Sequence, residues 1–443
     1  MNSHVSMPDR GGADRLAPSE KTLSSVDTSA STVLFVTYGN GHIGKVAPVV
    51  NALNAKGIST TVIALTLGYG QALNLGLIPK GYRDFLHLVD RDQALSFGAQ
   101  LLSQNSHPDV DPFESMCYLG INYAEWVNEF GADAAANKYA SGGRRSFLPI
   151  KFLGSVIDEI KPMLVVSTGS PRSEQAALEA AVARGIPTLT MLDLLGMPPS
   201  YYPANHVFAD RITVASQAAK TNLQTCGVDA SKIEVTGCPA YDRLFDAEHP
   251  IAAKNFLTRM GWTGLQVVLW TGILEESASN VPAEYLGTGL GVMVEQTLRN
   301  WVDSRRDVAL IVRYHPTQYH LFKNLGDHKR VYVSNPIVDS LPPQLHACDC
   351  VVTQMSTVGY EGALIGKRLL ALSFSPMVIN FDFDYGKIGL GESVHSLSDL
   401  IPALNMCKGI KTNQDVLPPA GRATPRVIDQ ILRLVSNFTT SLH

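Results

Sequence analysis

Two hydrophobic patterns alternate along most of this chain. One is a short apolar run rich in β-branched residues and bounded by glycine or polar residues, the mark of a strand buried on both faces. The other is a longer helix-compatible stretch that ends at glycine. Thr32–Thr37 is the first run; a glycine-rich loop from Tyr38 to Pro48 and a helix to about Lys56 follow, Gly57 stops the helix, and Thr60–Leu65 is the second strand. The rhythm returns at Met163–Ser167, with a helix over Pro171–Arg184. It continues at Pro187–Met191, at Arg211–Ala215 with a helix over Ser216–Thr225, and at Lys232–Thr236. A second set opens with Gln266–Trp270, a long helix over Glu284–Asp303 and Val308–Arg313. Arg330–Val333, Cys348–Thr353 and Leu369–Leu372 complete it. Strand, crossover helix, strand predicts parallel sheets with helices on both faces. Two such sets predict an α/β protein of two doubly wound Rossmann-like domains, with the carboxyl ends of both sheets facing a cleft.

The same pattern sets the expected boundaries. Residues 1–31 are rich in Ser, Asp and Gly without an apolar run, and read as a disordered tail rather than a secretory signal. The first domain spans 32–245. Within it the rhythm breaks over about 68–147, a helical insertion with helices near Asp90–Gln104 and Asp111–Phe130. That insertion is placed to shape an acceptor cleft, although its Tyr69, Phe85, Tyr118, Tyr123 and Trp126 read first as packing residues. Gly142-Gly143-Arg144-Arg145 reads as a mobile loop. The second domain spans 264–424, and a last helix over 425–437 is expected to pack back on the first domain.

Composition narrows the function classes. A length of 443 residues suits two cores. A formal charge of −4, without a basic run, gives no footing for nucleic-acid binding. No window approaches the ~20 apolar residues of a membrane span. The six cysteines are scattered and form neither a disulfide framework nor a zinc-ligand pattern. No Asp-x-Asp motif stands beside a strand end; the nearest string, Asp382-Phe383-Asp384, falls in a late loop, so no metal is expected. These features predict a cytoplasmic protein. Peripheral attachment at the inner face of a membrane stays open, as does a homodimer.

Candidate chemistry collects at strand ends. Ser356 and Thr357 follow the strand Cys348–Thr353 and can cap the next helix, whose free N–H groups and positive dipole end make a phosphate site with the Val358 and Gly359 amides. Glu361 lies about one turn in, where a carboxylate can accept hydrogen bonds from a ribose diol. Gly41 lets the first loop turn above the sheet edge, and His42 in that loop can act as a general base. The loop lacks a third glycine at the dinucleotide offset, and no acidic residue ends the second strand, which argues against nicotinamide binding.

Four motifs in order resemble the GT-B superfamily of nucleotide-sugar glycosyltransferases: Gly39-Asn40-Gly41-His42-Ile43-Gly44, Thr236-Gly237-Cys238-Pro239-Ala240-Tyr241-Asp242, His315-Pro316, and Ser356-Thr357-Val358-Gly359-Tyr360-Glu361. The resemblance implies a nucleotide-sugar donor, expected to be UDP-linked, as substrate with no further cofactor, and an acceptor carrying a hydroxyl group. It implies that Ser356, Thr357, Val358 and Gly359 hold the diphosphate, Glu361 the ribose and His315 the phosphate or sugar. Gly272 would admit the donor closely, and His42, Glu275 or Glu276 would take the acceptor's proton. UDP-GlcNAc 2-epimerases share the fold and the hinge segment; here Gly41-His42-Ile43 stands where they carry a "GTRPE"-like run. Transferases using CMP-sugars or CDP-glycerol share the His-Pro and Ser/Thr features, and Glu275-Glu276-Ser277 resembles the acidic pair of bacterial sialyltransferases. A noncatalytic nucleotide-sugar-binding protein on this fold is a further alternative.

Overall fold

The computed structural model describes residues 32–192, 195–197, 204–279, 281–406 and 415–441; the expected tail over 1–31 lies outside them. Strands β1 (Thr32–Tyr38), β2 (Ser59–Leu65), β3 (Leu164–Ser167), β4 (Thr188–Leu192), β5 (Arg211–Val214) and β6 (Ile233–Val235) form one sheet in the order β2-β1-β3-β4-β5-β6. Strands β7 (Gln266–Gly272), β8 (Val308–Tyr314), β9 (Val331–Val333), β10 (Cys350–Thr353), β11 (Arg368–Leu372) and β12 (Glu392–Val394) form a second in the order β12-β11-β10-β7-β8-β9. All ten pairings are parallel. Strands β3, β8, β10 and β11 are buried along their whole length, which is why they read as unbroken apolar runs rather than alternations. The chain is therefore an α/β protein of two doubly wound Rossmann-like domains.

Each sheet grows in both directions from its first strand. β1 has β2 on one side and β3 on the other; β7 has β8 on one side and β10 on the other. Where growth reverses, the connections leave on opposite faces and open a crevice at the carboxyl ends. Those two switch points position the chemistry described below.

Three sequence expectations need correction, and one strand is added. The glycine-rich loop after β1 is one residue long: Gly39 turns at φ +95°, and the helix Asn40–Ala55 begins at once with Pro48 inside it. His42 is thus on a helix, not in a loop. Gly142–Arg145 closes the helix Ala132–Gly142 and forms a 3-10 turn over Gly143–Ser146. The helix expected from Glu284 starts at Gly289, because the chain turns back so tightly that a Cβ on Gly289 would lie 1.8 Å from the Glu284 carbonyl oxygen. Strand β12 was unread, being three residues of mixed polarity; an Arg368–Glu392 ion pair at 2.6 Å helps pin it to β11.

The helical insertion is rigid for a backbone reason. Helices Arg91–Leu102 and Pro112–Phe130 pack so closely that a Cβ on Gly120 would sit 1.8 Å from the Ala94 carbonyl oxygen, and one on Gly98 would sit 2.1 Å from that of Met116. At the hinge, both oxygens of Asp242 accept main-chain N–H groups, from Ala423 at 2.5 Å and Thr424 at 2.8 Å. Asp242 thereby caps the helix Thr424–Ser441, whose Val427, Ile428 and Ile431 are buried against Val33, Phe35, Ile43 and Val46 of the first domain. Among the described residues no helix is long and apolar enough to cross a membrane.

Gly120→Ala should lower stability by about 1–3 kcal/mol, because backbone faces backbone and no side chain can give way. The check is an earlier thermal transition by circular dichroism; an unchanged transition would mean that the helix pair separates freely.

Candidate functional site

The second domain's switch point carries a cavity of about 400 Å³. Its wall brings together Gly272, His315, Ser356, Thr357, Val358 and Glu361 of the sequence-predicted set. Ser356 caps the helix Thr357–Leu364, its hydroxyl accepting the Val358 N–H at 3.3 Å. The Gly359 N–H goes to the Ser356 carbonyl at 3.0 Å. Gly359 itself faces the sheet rather than the cavity: a Cβ there would lie 2.9 Å from the Tyr385 ring and 3.0 Å from Thr353. Gly272 also has a packing cause, since a Cβ would meet the Tyr314 ring at 2.6 Å. The His315 main-chain N–H donates to the Gly272 carbonyl at 3.1 Å, tying the ends of β8 and β7 together. His315 Nδ1 pairs with Thr317 Oγ1 at 2.9 Å, and burial lowers its pKa.

Glu361 is the electrostatic centre of this cavity. It is 4 % exposed, and its Oε2 has no hydrogen-bond partner. Burial pushes its pKa up to about 7, opposed by the positive charges of Arg243 and Arg313. Arg243 stands 3.9 Å from Oε2. It comes from the 3-10 turn Pro239–Phe245 after β6, so the first domain supplies part of the wall. The Arg313 guanidinium, also part of the cavity wall, is fixed by Ser334 Oγ at 2.8 Å and the Asp339 carbonyl at 3.0 Å. Neither arginine was singled out from the sequence. Arg243 directly follows the hinge Asp242, and Arg313 closes the apolar run of β8; a cation at each strand end was the available signal.

Glu275 and Glu276 do not join the cavity wall, and Glu275 requires a correction. Its Oε1 accepts from Gln354 Nε2 at 2.6 Å and Ser375 Oγ at 2.7 Å, and its Oε2 accepts from the Met377 N–H at 2.8 Å. It is buried, with burial raising its pKa. A carboxylate held by three donors braces the loop after β7 against the start of the helix Pro376–Phe381, a structural position rather than that of a base facing the cavity. Glu276 is exposed. Gly41 lies in the first turn of its helix with open space around it and lines neither cavity.

The first domain's switch point carries His42. Its Nδ1 faces Thr168 Oγ1 and lies 3.2 Å from Glu174 Oε1. Thr168 Oγ1 donates its own proton to Glu174 Oε2 at 2.7 Å, so toward His42 it can only accept. That assigns the ring proton to Nδ1 and leaves the Nε2 lone pair free. Glu174 is fully buried at the start of the helix Ser173–Val182 and accepts the main-chain N–H groups of Tyr38 at 2.7 Å, Thr168 at 2.9 Å and Ser170 at 2.9 Å. These bonds and the helix dipole stabilise its negative charge. The result is an imidazole oriented by a buried carboxylate, with its side chain 28 % exposed. Glu174 and Thr168 escaped the sequence reading because their helix looked ordinary.

A second cavity, of about 260 Å³, lies at the ends of β1 and β2 against the helical insertion; its wall includes Tyr38, Leu65, Tyr118 and Leu119. Gly39, the residue that starts the His42 helix, belongs to the same wall.

No protein-family model matches the chain, and no curated protein matches it. Solved structures do. The UDP-GlcNAc 2-epimerase of Methanocaldococcus jannaschii aligns over 91 % of this chain and 99 % of its own, at 16 % identity and a TM-score of 0.54. A putative UDP-N-acetylglucosamine 2-epimerase of Listeria monocytogenes aligns over 91 % and 96 %, at 18 % identity and a TM-score of 0.52. The Neisseria meningitidis UDP-GlcNAc 2-epimerase, solved bound to UDP-GlcNAc, aligns over 91 % and 100 %, at 14 % identity and a TM-score of 0.51. At such identities the likeness is one of architecture. The chain has the GT-B fold, two Rossmann-like domains each built on a six-stranded parallel sheet.

Proposed function

We propose that this protein is a glycosyltransferase that moves a sugar from a nucleotide-sugar donor to an acceptor hydroxyl. The observation that carries this reading is the His42–Thr168–Glu174 arrangement at one switch point, paired with the capped helix and unpartnered Glu361 at the other. The donor's ribose diol satisfies Glu361, and its diphosphate lies at the helix start near Ser356 and Thr357, with Arg243 and His315 beside it. His42 Nε2 removes the proton of the acceptor hydroxyl. The acceptor oxygen attacks the anomeric carbon, the bond from that carbon to the phosphate oxygen breaks, and the nucleotide leaves as an anion. The helix N-terminus and Arg243 stabilise the charge that develops on the leaving group, a role filled by fixed dipoles and a cation rather than a metal ion. Thr168 and Glu174 keep the imidazole in the tautomer that leaves Nε2 basic and stabilise the imidazolium that forms.

A second reading is a nucleotide-sugar 2-epimerase, favoured because the solved structures above are epimerases that align over 91 % of this chain. The two readings separate in deuterated buffer with UDP-GlcNAc and no acceptor. Exchange of the sugar's C2 hydrogen is expected of an epimerase; a transferase leaves C2 untouched and releases UDP only when an acceptor is present. Nucleotide binding without either reaction would identify a binding protein.

His42→Ala should reduce sugar transfer by about 10²–10⁴-fold. Glu174→Gln should reduce it less, through loss of the imidazole's orientation. Nucleotide binding by calorimetry should stay within about twofold of wild type for both; wild-type turnover in His42→Ala would remove this residue as the base. With a pKa near 7, Glu361 loses its charge as pH falls through neutrality and then offers a diol fewer acceptor sites. The UDP dissociation constant should therefore rise by about three- to tenfold from pH 8 to pH 6, and Glu361→Gln should remove that dependence while weakening binding throughout. A UDP titration on both proteins checks it, since protonation of the UDP phosphate affects the two alike.

A further inference from the structure

We propose that Arg172 is a specificity-determining residue: its guanidinium, laid over the Tyr38 ring beside the His42–Glu174 pair, binds a carboxylate or phosphate group of the molecule whose hydroxyl His42 deprotonates. That this molecule is an acceptor rests on the transferase reading; the anion site rests on the geometry of Arg172 itself.

Three observations set this arginine apart. The first is its backbone. Arg172 has φ +71° and ψ −118°, outside the wells open to a residue with a Cβ, and a non-glycine residue is held there only when the surrounding structure imposes it. Such residues collect at ligand sites. The second is the state of its charge. The guanidinium carbon stands 4.2 Å from the centroid of the Tyr38 ring, so an aromatic plane covers one face and takes it out of water. Among the described residues the side chain makes no hydrogen bond and no ion pair. Its Nε is buried without an acceptor, while its two Nη groups stay open to solvent. Partly buried cations ordinarily have a carboxylate or a carbonyl as partner, and this one keeps an edge of N–H donors that the protein does not use.

The third observation is place. Arg172 directly precedes the helix Ser173–Val182, and two residues separate it from Glu174, so their Cα atoms are at most ~7 Å apart. Glu174 is nevertheless not its partner. The Glu174 oxygens are taken by the main-chain N–H groups of Tyr38, Thr168 and Ser170, by the Thr168 hydroxyl and by His42 at 3.2 Å. Tyr38 joins the two charges: its ring carries Arg172, and its main-chain N–H bonds Glu174 Oε1, the oxygen that faces His42. A molecule that presents a hydroxyl to His42 Nε2 therefore has a bare guanidinium edge beside it. The planar fork of an arginine matches the paired oxygens of a carboxylate or phosphate, and a bond between two charged groups is about twice as strong as one to a neutral oxygen. A neutral alcohol would leave this cation as it stands, without a counter-charge.

The test is a calorimetric titration of the full chain in saturating UDP, which occupies the phosphate site of the second domain and leaves Arg172 to meet the probe. Matched pairs serve as probes: glucuronate against glucose, 4-hydroxybenzoate against 4-hydroxybenzamide, and glycerol 3-phosphate against glycerol. The first two pairs report a carboxylate and the third a phosphate. In wild type at least one anion should bind about tenfold or more tightly than its neutral counterpart. Arg172→Gln should bring the members of every pair within about twofold, and Arg172→Lys should keep part of the preference; a cooperative thermal transition reports that both variants are folded. No preference in any pair, or a preference that survives Arg172→Gln, overturns the anion site and leaves the transferase reading standing. A preference lost in Arg172→Gln, in a protein that exchanges the C2 hydrogen of UDP-GlcNAc or binds no nucleotide, overturns the transferase reading and leaves the anion site standing. Glycoside formation on the preferred anion by wild type, weakened in Arg172→Gln through KM rather than kcat, supports both.

Discussion

The reversal of strand order in each sheet is the constraint on which everything else depends. A parallel sheet that grows from its first strand in two directions must send consecutive crossovers to opposite faces, and the carboxyl ends of the two central strands are left uncovered. In the first domain those ends belong to β1 and β3, and they deliver His42 from one connection and Thr168 with Glu174 from the other. In the second they belong to β7 and β10, and they deliver Gly272 and Ser356 to one cavity. Residues 84 to 132 positions apart in sequence meet because hydrogen-bond register along the strands leaves them no other place. The contact between domains keeps the two crevices together: the Tyr360 hydroxyl, on the phosphate-site helix, donates to the Ala215 carbonyl at the end of β5 at 2.5 Å.

Two buried carboxylates show how burial alone does not define a role. Glu174 is fully buried and accepts four hydrogen bonds, three from main-chain amides, so it is a fixed negative charge within a rigid frame. Glu361 is about as buried, yet its Oε2 accepts no hydrogen bond and the Arg243 guanidinium stands 3.9 Å from it. The first pattern belongs to a residue that orients a neighbour. The second belongs to a residue whose partner is not part of the protein. Glu275, with three donors, follows the first pattern and braces a loop.

Much of the architecture was legible because buried parallel strands have no polar face to conceal them. The runs at β1, β3, β8 and β10 announced themselves, and so did the order of helices between them. What was not legible depended on contacts distant in sequence. The donors that occupy Glu275 lie 79, 100 and 102 positions away, so two adjacent glutamates looked free to act as a base. The loop around His42 looked long because several glycines stood together; Gly39 alone makes the turn. Glu174 carried a signal that went unused. A strand, a Ser/Thr-containing turn and a glutamate in the first turn of the next helix occur at Ser167–Glu174, and a closely similar arrangement, with its glutamate slightly deeper in the helix, occurs at Thr353–Glu361.

The helix Thr424–Ser441 has a consequence for how the molecule comes into being. Its Ile428 and Ile431 complete an apolar cluster whose other members begin at Val33, so the first domain cannot be finished without a segment that lies beyond the second in sequence. Without that segment, the part of the cluster around Val33 and Phe35 that the helix Asn40–Ala55 does not cover is left bare. The two halves are joined into one cooperative object by a chain segment that crosses back between them beside Asp242.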